Sequence, residues 1–309
     1  MSERAWDQVP LVCPRCRARL AVTEAGSTCG GCHRRYASET GILHLTVGRE
    51  GAPGYDPHFF DTLERVEDRH FWFVSRRATI LDALRREVPD LDRRGLFDIG
   101  CGSGGLLAYL ARSGVKVTGA CDAYLESLEI VRRRMTAMPL VLVDEGRWPP
   151  LGPGQGLLAL FDVLEHLDDD RGMLRFLHSV LAPGGTLVLT VPAHPFLFDD
   201  RDALAQHRRR YRRPDLREKL EEAGFEVGVL THFMAALVPP LLAGRGLTHL
   251  LPPSLRQRRG RHALEFRVVP VLNGLLGAVL SLERAVLRVA SIPFGSSILA
   301  IARRPGPPS

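Results

Sequence analysis

A doubly wound α/β sheet preceded by a small metal-bound ribbon is the fold this sequence predicts, and three observations predict it. Cys13, Cys16, Cys29 and Cys32 form two C-x2-C pairs. Residues 95–191 alternate apolar strand-like runs with helical runs. Asp98-x-Gly100-x-Gly102-x-Gly104 sits where the first of those strands turns into the first helix. The 309 residues, 45% hydrophobic and 25% charged, suffice for one sizeable core and an accessory domain, and exclude a disordered chain.

The cysteines come first in the chain. Residues 1–10 show no basic start followed by an apolar run, so no secretory signal is read there and a cytoplasmic protein is expected. Cytosolic thiols stay reduced, which favours a metal over two disulfides for the paired cysteines. Four thiolates make a closed tetrahedral shell suited to structural zinc, with no open position for a water nucleophile. Around them Leu20, Val22, Tyr36, Ile42 and Leu45 offer short strands too few to make a core unaided, so the metal would supply the missing stability. Cys101 and Cys121 stand apart, beside expected strands, as small buried side chains.

The expected core strands are residues 96–99, 115–120, 140–143, 157–161 and 186–191. Helical spacing covers 106–112, 124–135 and 173–181, and Pro183-Gly184-Gly185 reads as a turn launching the fifth strand. Glycines at the first strand-to-helix turn let a ligand approach the backbone, and the helix N-terminus adds amide donors. Asp122, eighteen residues beyond Gly104, follows the second strand, where a carboxylate can accept both hydroxyls of a ribose. Asp144 and Glu145 end the third strand, in position to meet an adenine edge. Each acid alone also reads as a solvated loop carboxylate; three at successive strand ends do not read as coincidence.

On these residues the stretch from Gly95 to Phe233, with the end of the chain added, resembles a class I S-adenosylmethionine-dependent methyltransferase. The resemblance implies a Rossmann-like sheet with an antiparallel last strand. It also implies that Asp98, Gly100, Cys101, Gly102 and Gly104 face the methionine part of S-adenosylmethionine, Asp122 the ribose and Asp144 with Glu145 the adenine, with Phe161 bordering the cofactor. The family often has its ribose acid where Cys121 stands, so the second strand is expected to run one residue longer. Residues 11–47 resemble the zinc ribbons that precede or partner bacterial methyltransferases.

After the fourth strand comes Asp162-Val163-Leu164-Glu165-His166, at the strand edge where reacting groups collect. An imidazole suits removal of a hydroxyl proton. The D-x-x-E-H pattern is similar to the E-x-x-E-H of ubiquinone-biosynthesis O-methyltransferases and small-RNA 2′-O-methyltransferases. There these residues help hold a divalent metal, and His207 matches the further histidine of the set. Asp162, Glu165, His166 and His207 are therefore the candidate catalytic residues, with a divalent metal as candidate cofactor; packing against the cofactor or capping a helix is the other reading of the histidines. No N/D-P-P-Y motif follows the fourth strand, which speaks against exocyclic amine methylation.

The rest of the chain shapes access. His70-Phe71-Trp72-Phe73 opens an expected helix over 75–88, a cover for the cofactor mouth or plain core. Residues 225–233 and 297–303 read as the sixth and seventh strands, and the insert between them should project over the acceptor pocket. Its runs 234–243 and 268–280 are too short to span a bilayer, and Asn273 interrupts the longer one. They read as a helical lid or as a shallow membrane contact helped by the basic stretch Arg256 to Arg261. Arg208 to Arg213 would clamp a phosphate or carboxylate, or lie solvated. The expected organisation is a zinc ribbon (1–48), a helical cap (49–94), the cofactor-binding core (95–233), a helical substrate lid (234–295) and the last strand with its tail (296–309). The expected partner is a small-molecule acceptor, phosphorylated, glycosylated or lipidic. RNA, which the zinc ribbon and the arginine clusters could grip, is the rival acceptor, and a non-catalytic cofactor-binding partner protein is the third reading.

Overall fold

The computed structural model describes residues 6–47, 57–239, 241–243 and 268–306. Among them eleven strands form one sheet in the order β1-β2-β3-β4-β7-β6-β5-β8-β9-β11-β10. The first four are short: β1 (Val22–Thr23), β2 (Gly26–Thr28), β3 (Arg35–Glu39) and β4 (Ile42–His44). The core then follows with β5 (Leu96–Ile99), β6 (Val117–Asp122), β7 (Leu140–Leu142), β8 (Gln155–Phe161), β9 (Leu181–Pro192), β10 (Glu226–Phe233) and β11 (Ser297–Arg303). β5 to β9 pair in parallel and β11 runs antiparallel to both β9 and β10, as the sequence predicts.

Parallel strands buried on both faces need continuous apolar residues. Leu96, Phe97 and Ile99 meet that need, and Asp98 is the polar interruption. The second strand ends on Asp122, so the position after Cys121 closes the strand. One expectation changes: Pro183-Gly184-Gly185 is no free turn but lies inside β9, where the register against β8 shifts between the Gln155 and Leu157 pairs. Gly184, at φ 75°, takes the left-handed conformation that this irregularity requires.

The ribbon is joined to the core by backbone. β4 pairs in parallel with β7, Ile42 opposite Leu140 and His44 opposite Leu142, so it covers what would be an open sheet edge. Val12 donates to the Pro150 carbonyl at 2.9 Å, and the Arg17 guanidinium donates to the Leu151 carbonyl at 2.8 Å. Leu43, Leu45 and Tyr36 share one apolar cluster with Phe97, Val141 and Leu158.

Eight helices complete the described chain: α1 (Pro57–Val66), α2 (Phe71–Glu87), α3 (Gly105–Arg112), α4 (Leu125–Arg134), α5 (Asp170–Val180), α6 (Asp200–Leu204), α7 (Arg213–Glu222) and α8 (Pro270–Leu287). α2 begins four residues earlier than its spacing suggests, because His70 caps it by accepting from the Trp72 amide. α8 continues seven residues beyond the run expected to end at 280, carried on through Ser281, Glu283 and Arg284. The Arg256–Arg261 stretch lies outside the described residues.

Candidate functional site

The glycine loop joins β5 to α3. Gly100, Gly102 and Gly104 all have positive φ, at 75°, 52° and 71°. At Gly100 and Gly104 a side chain would also collide: a Cβ would meet Val163 Cγ2 at 2.5 Å and Val131 Cγ2 at 2.7 Å, respectively. Val163 follows β8, so the segment carrying Glu165 and His166 abuts the loop directly.

Three acids sit at the strand ends, in different states. Asp98 is buried, its Oδ1 has no hydrogen-bond partner, and burial with the neighbouring Asp122 charge pushes its carboxyl up to about 7. Asp122 accepts from the Gly102 amide at 2.8 Å and the Tyr124 amide at 3.0 Å, shaping the loop, while burial raises its pKa against the pull of those amides. Asp144 accepts from the Val47 amide at 2.8 Å and so tethers the chain leaving the ribbon. Glu145 accepts from the Tyr124 hydroxyl at 3.4 Å on the exposed side. Cys101 and Cys121 are thiols that burial pushes upward, which keeps them protonated and inert.

A second cluster lies past β8. Leu164–His166 is a single 3-10 turn, and His207 comes from the loop after α6. Glu165, His166 and His207 place one ligand atom each within 4.8 Å of the others. Glu165 is fully buried and neither carboxylate oxygen has a hydrogen-bond partner; burial, with the Asp162 charge behind it, drives its pKa well up. His207 Nδ1 lies 2.8 Å from Asp202 Oδ1, which fixes the tautomer with Nδ1–H donating and leaves Nε2 4.0 Å from Glu165 Oε1. His166 meets His207 edge to face, with ring centroids 4.8 Å apart. Burial and then the second imidazole lower its pKa to about 4, so it is neutral near pH 7. A buried carboxylate without partners, two imidazoles and an orienting acid form a donor set that fits a divalent cation.

Asp162 does not join that cluster. It has a left-handed backbone (φ 56°) and accepts from Arg76 Nη2 at 2.6 Å and from the Thr190 hydroxyl at 3.0 Å. Arg76, buried between the faces of Trp72 and Phe161, is the site residue sequence reading missed. It lay inside an aromatic helix start, and only the packing of α2 over the ends of β8 and β9 reveals it. His194 and His232 were missed too: their rings stack 5.0 Å apart at the ends of β9 and β10, against Phe294.

The arginine run is a clasp and not a free phosphate clamp. Arg208 pairs with Asp168, Arg209 with Asp170 and Arg210 with Asp202. Tyr211, buried between them, donates to Asp170 at 2.9 Å.

In the ribbon the four sulfur atoms lie within 4.8 Å of one another, with Cys13–Cys32 at 3.7 Å and Cys16–Cys29 at 3.4 Å. Tetrahedral zinc thiolates stand ~3.8 Å apart, so the cluster could hold zinc. Burial works against ionising Cys13, yet the Tyr36 hydroxyl at 3.0 Å and the backbone around Cys16 bring its thiol down to about 6.

The edge thus sets a glycine loop with strand-end acids beside a buried carboxylate and two imidazoles. The family described as "Methyltransferase domain" matches residues 58–228. The chain belongs to that family, whose methyl donor is S-adenosylmethionine. It is 31% identical over 121 residues to trans-aconitate 2-methyltransferase of Rhizobium leguminosarum bv. trifolii, covering 39% of this chain and 47% of the relative. It is 30% identical over 132 residues to the mitochondrial ubiquinone biosynthesis O-methyltransferase of Schizosaccharomyces pombe, covering 40% and 47%. The chain thus spans about half the length of these curated relatives. A solved Haloferax volcanii complex of the Trm112 methyltransferase activator with a methyltransferase shares the fold: TM-score 0.52, 16% identity, 82% of this chain and 96% of that one.

Proposed function

We propose that this protein transfers the methyl group of S-adenosylmethionine to an oxygen of a small-molecule acceptor, a phosphorylated, glycosylated or lipidic metabolite. The observation that carries the reading is the buried Glu165, with both oxygens unpartnered, between His166 and His207 and one packed valine away from the glycine loop. Asp122, held by the Gly102 and Tyr124 amides at the end of the second strand, stands where a carboxylate meets ribose hydroxyls. The unpartnered Asp98 Oδ1 suits the ammonium of the donor's methionine part.

In the transfer the acceptor oxygen attacks the methyl carbon, the carbon–sulfur bond breaks, and S-adenosylhomocysteine leaves with the electron pair. The acceptor hydroxyl gives its proton to water as its oxygen forms the new bond to carbon. Glu165, His166 and His207 would hold a divalent cation, which supplies Lewis acidity at an acceptor hydroxyl. Asp202 keeps His207 in the tautomer that presents Nε2. Arg76 holds Asp162 away from that cluster and packs over the rings of Trp72 and Phe161. Zinc in the cysteine ribbon would be structural.

RNA is the less favoured acceptor, because Arg208, Arg209 and Arg210 are spent on neighbouring acids. The test incubates the full chain with methyl-labelled S-adenosylmethionine and either cellular RNA or a small-molecule and lipid extract, with magnesium or with chelator. Label in the extract that chelator abolishes is expected. Label in RNA overturns the acceptor, and donor binding without any transfer supports a non-catalytic partner.

A further inference from the structure

Helix α8 is apolar on two faces. A surface helix of a globular protein turns its apolar stripe to the core and its polar face to water. α8 buries Leu280 and Leu287 in the core, with Leu276 packed beside them, yet it shows a second apolar stripe to solvent. Polar contacts fasten its inner side: Asn273 accepts from the Phe71 amide at 2.8 Å and donates to the Arg69 carbonyl at 3.0 Å. Glu283 accepts from the Ala236 amide at 3.1 Å, and Arg284 leans on Asp82 at 3.7 Å.

A second set of large apolar residues faces outward. Val271 is 85% exposed, Leu282 71% and Leu275 62%, with Leu272, Val279 and Val286 exposed beside them. At ~100° per residue all six fall in one arc of roughly 100°, and Ala278 and Ala285 at its margin are apolar too. No charged or polar residue interrupts an arc that runs the whole 18-residue helix, ~27 Å. An exposed apolar stripe of that length needs an apolar partner.

We infer that the outward stripe of α8, from Val271 to Val286, seats this protein on the surface of an anionic lipid bilayer. The helix passes the length and composition of a membrane span, but its other face is held by Leu280 and Leu287 in the core and by polar contacts to α2, so only the stripe can enter lipid and the helix lies in the interface plane. Charge favours an anionic surface. Arg69 is exposed on the flank of α8, as are Arg86 and Arg288 in their pairs with Glu87 and Asp82, and the chain carries +6 overall, which attracts anionic head groups. A second copy would bring another +6 chain against the same face, which like-charge repulsion opposes. The Asn273–Phe71 bond ties the start of α8 to the start of α2, four to five residues before Arg76. The seated stripe would hold the mouth of the site beside the lipid.

The test needs neither donor nor acceptor, so it stands or falls apart from the methyl-transfer reading. The full chain is floated with phosphatidylcholine vesicles, plain or with about a third phosphatidylglycerol. Flotation with the anionic vesicles, weakened by salt, is expected. Leu275→Asp with Leu282→Asp, both on exposed positions, should cut the floated fraction about tenfold while the melting curve stays in place. No flotation with anionic vesicles overturns the inference, as does a variant that floats like the parent. A dimer in light scattering that the same variant dissolves would give the stripe to a second copy instead.

Discussion

The two clusters that can hold a metal are assembled in opposite ways. In the ribbon all four ligands come from twenty consecutive residues, each pair folded onto its own turn, and the C-x2-C spacing alone brings the sulfur atoms together. At the strand edge Glu165 and His166 come from a 3-10 turn after β8, whereas His207 arrives forty-one residues later, carried around β9 and α6 and aimed by Asp202. The first site is written in local spacing and the second in topology. A local site should fail by unfolding its own neighbourhood, a topological one by losing chemistry on an intact scaffold.

The largest effect is expected at the local site. Cys13→Ser with Cys29→Ser should abolish tightly bound zinc, since structural sites of this kind draw on the order of 10 kcal/mol of folding energy from the metal. Amide exchange should then become fast across residues 11–45 and, through the β4–β7 pairing, along Leu140–Leu142. Mass spectrometry showing no metal in a parent chain that melts like the variant would refute the structural role. At the topological site, His207→Ala should leave the melting temperature and donor affinity near the parent's while turnover falls ~100-fold or more; turnover within a factor of two would remove His207 from the mechanism.

The same contrast explains what could be read in the sequence. The ribbon cysteines, the glycine loop and the alternation of strands with helices follow from spacing and from apolar periodicity, which are properties of neighbours in the chain, whereas the antiparallel last strand came from the family likeness. Glu165, His166 and His207 needed a family likeness as well. Arg76 was out of reach because nothing in an aromatic helix start shows which strand end the helix will cross. Asp162 was assigned to the wrong partners for the same reason: its carboxylate turns to Arg76 and Thr190 at a left-handed backbone position that its neighbours do not announce. The outward stripe of α8 was equally hidden, since periodicity marks a stripe without saying which way it points.

A smaller effect separates the ligands of the topological site from the group that aims them. Asp202 is almost fully buried. Burial alone would raise its pKa, but the His207 and Arg210 hydrogen bonds win and hold the carboxyl below its usual range. Asp202→Asn keeps the shape and loses the charge, so turnover should drop ~10-fold to ~100-fold and half-maximal activity should need more added divalent metal, measured as activity against metal concentration. An unchanged metal titration would make Asp202 a purely structural anchor for Arg210.

The smallest effect belongs to the donor half. Asp98 has its carboxyl raised to about 7 in the folded chain, against an unfolded value near 4, so the folded state holds a proton that the unfolded state has released across that window. Its contribution to stability therefore declines as pH climbs from about 4 through about 7. An ammonium placed on Asp98 favours the ionised carboxylate, so donor binding must expel that proton. Affinity for S-adenosylmethionine should rise about tenfold between roughly pH 5.5 and roughly pH 7, with about one proton released below pH 7 in buffer-dependent calorimetry. Asp98→Asn should bind more weakly but with a flat profile over the same range. If the asparagine variant keeps the slope, the proton belongs to another group and Asp98 does not meet the donor's amine.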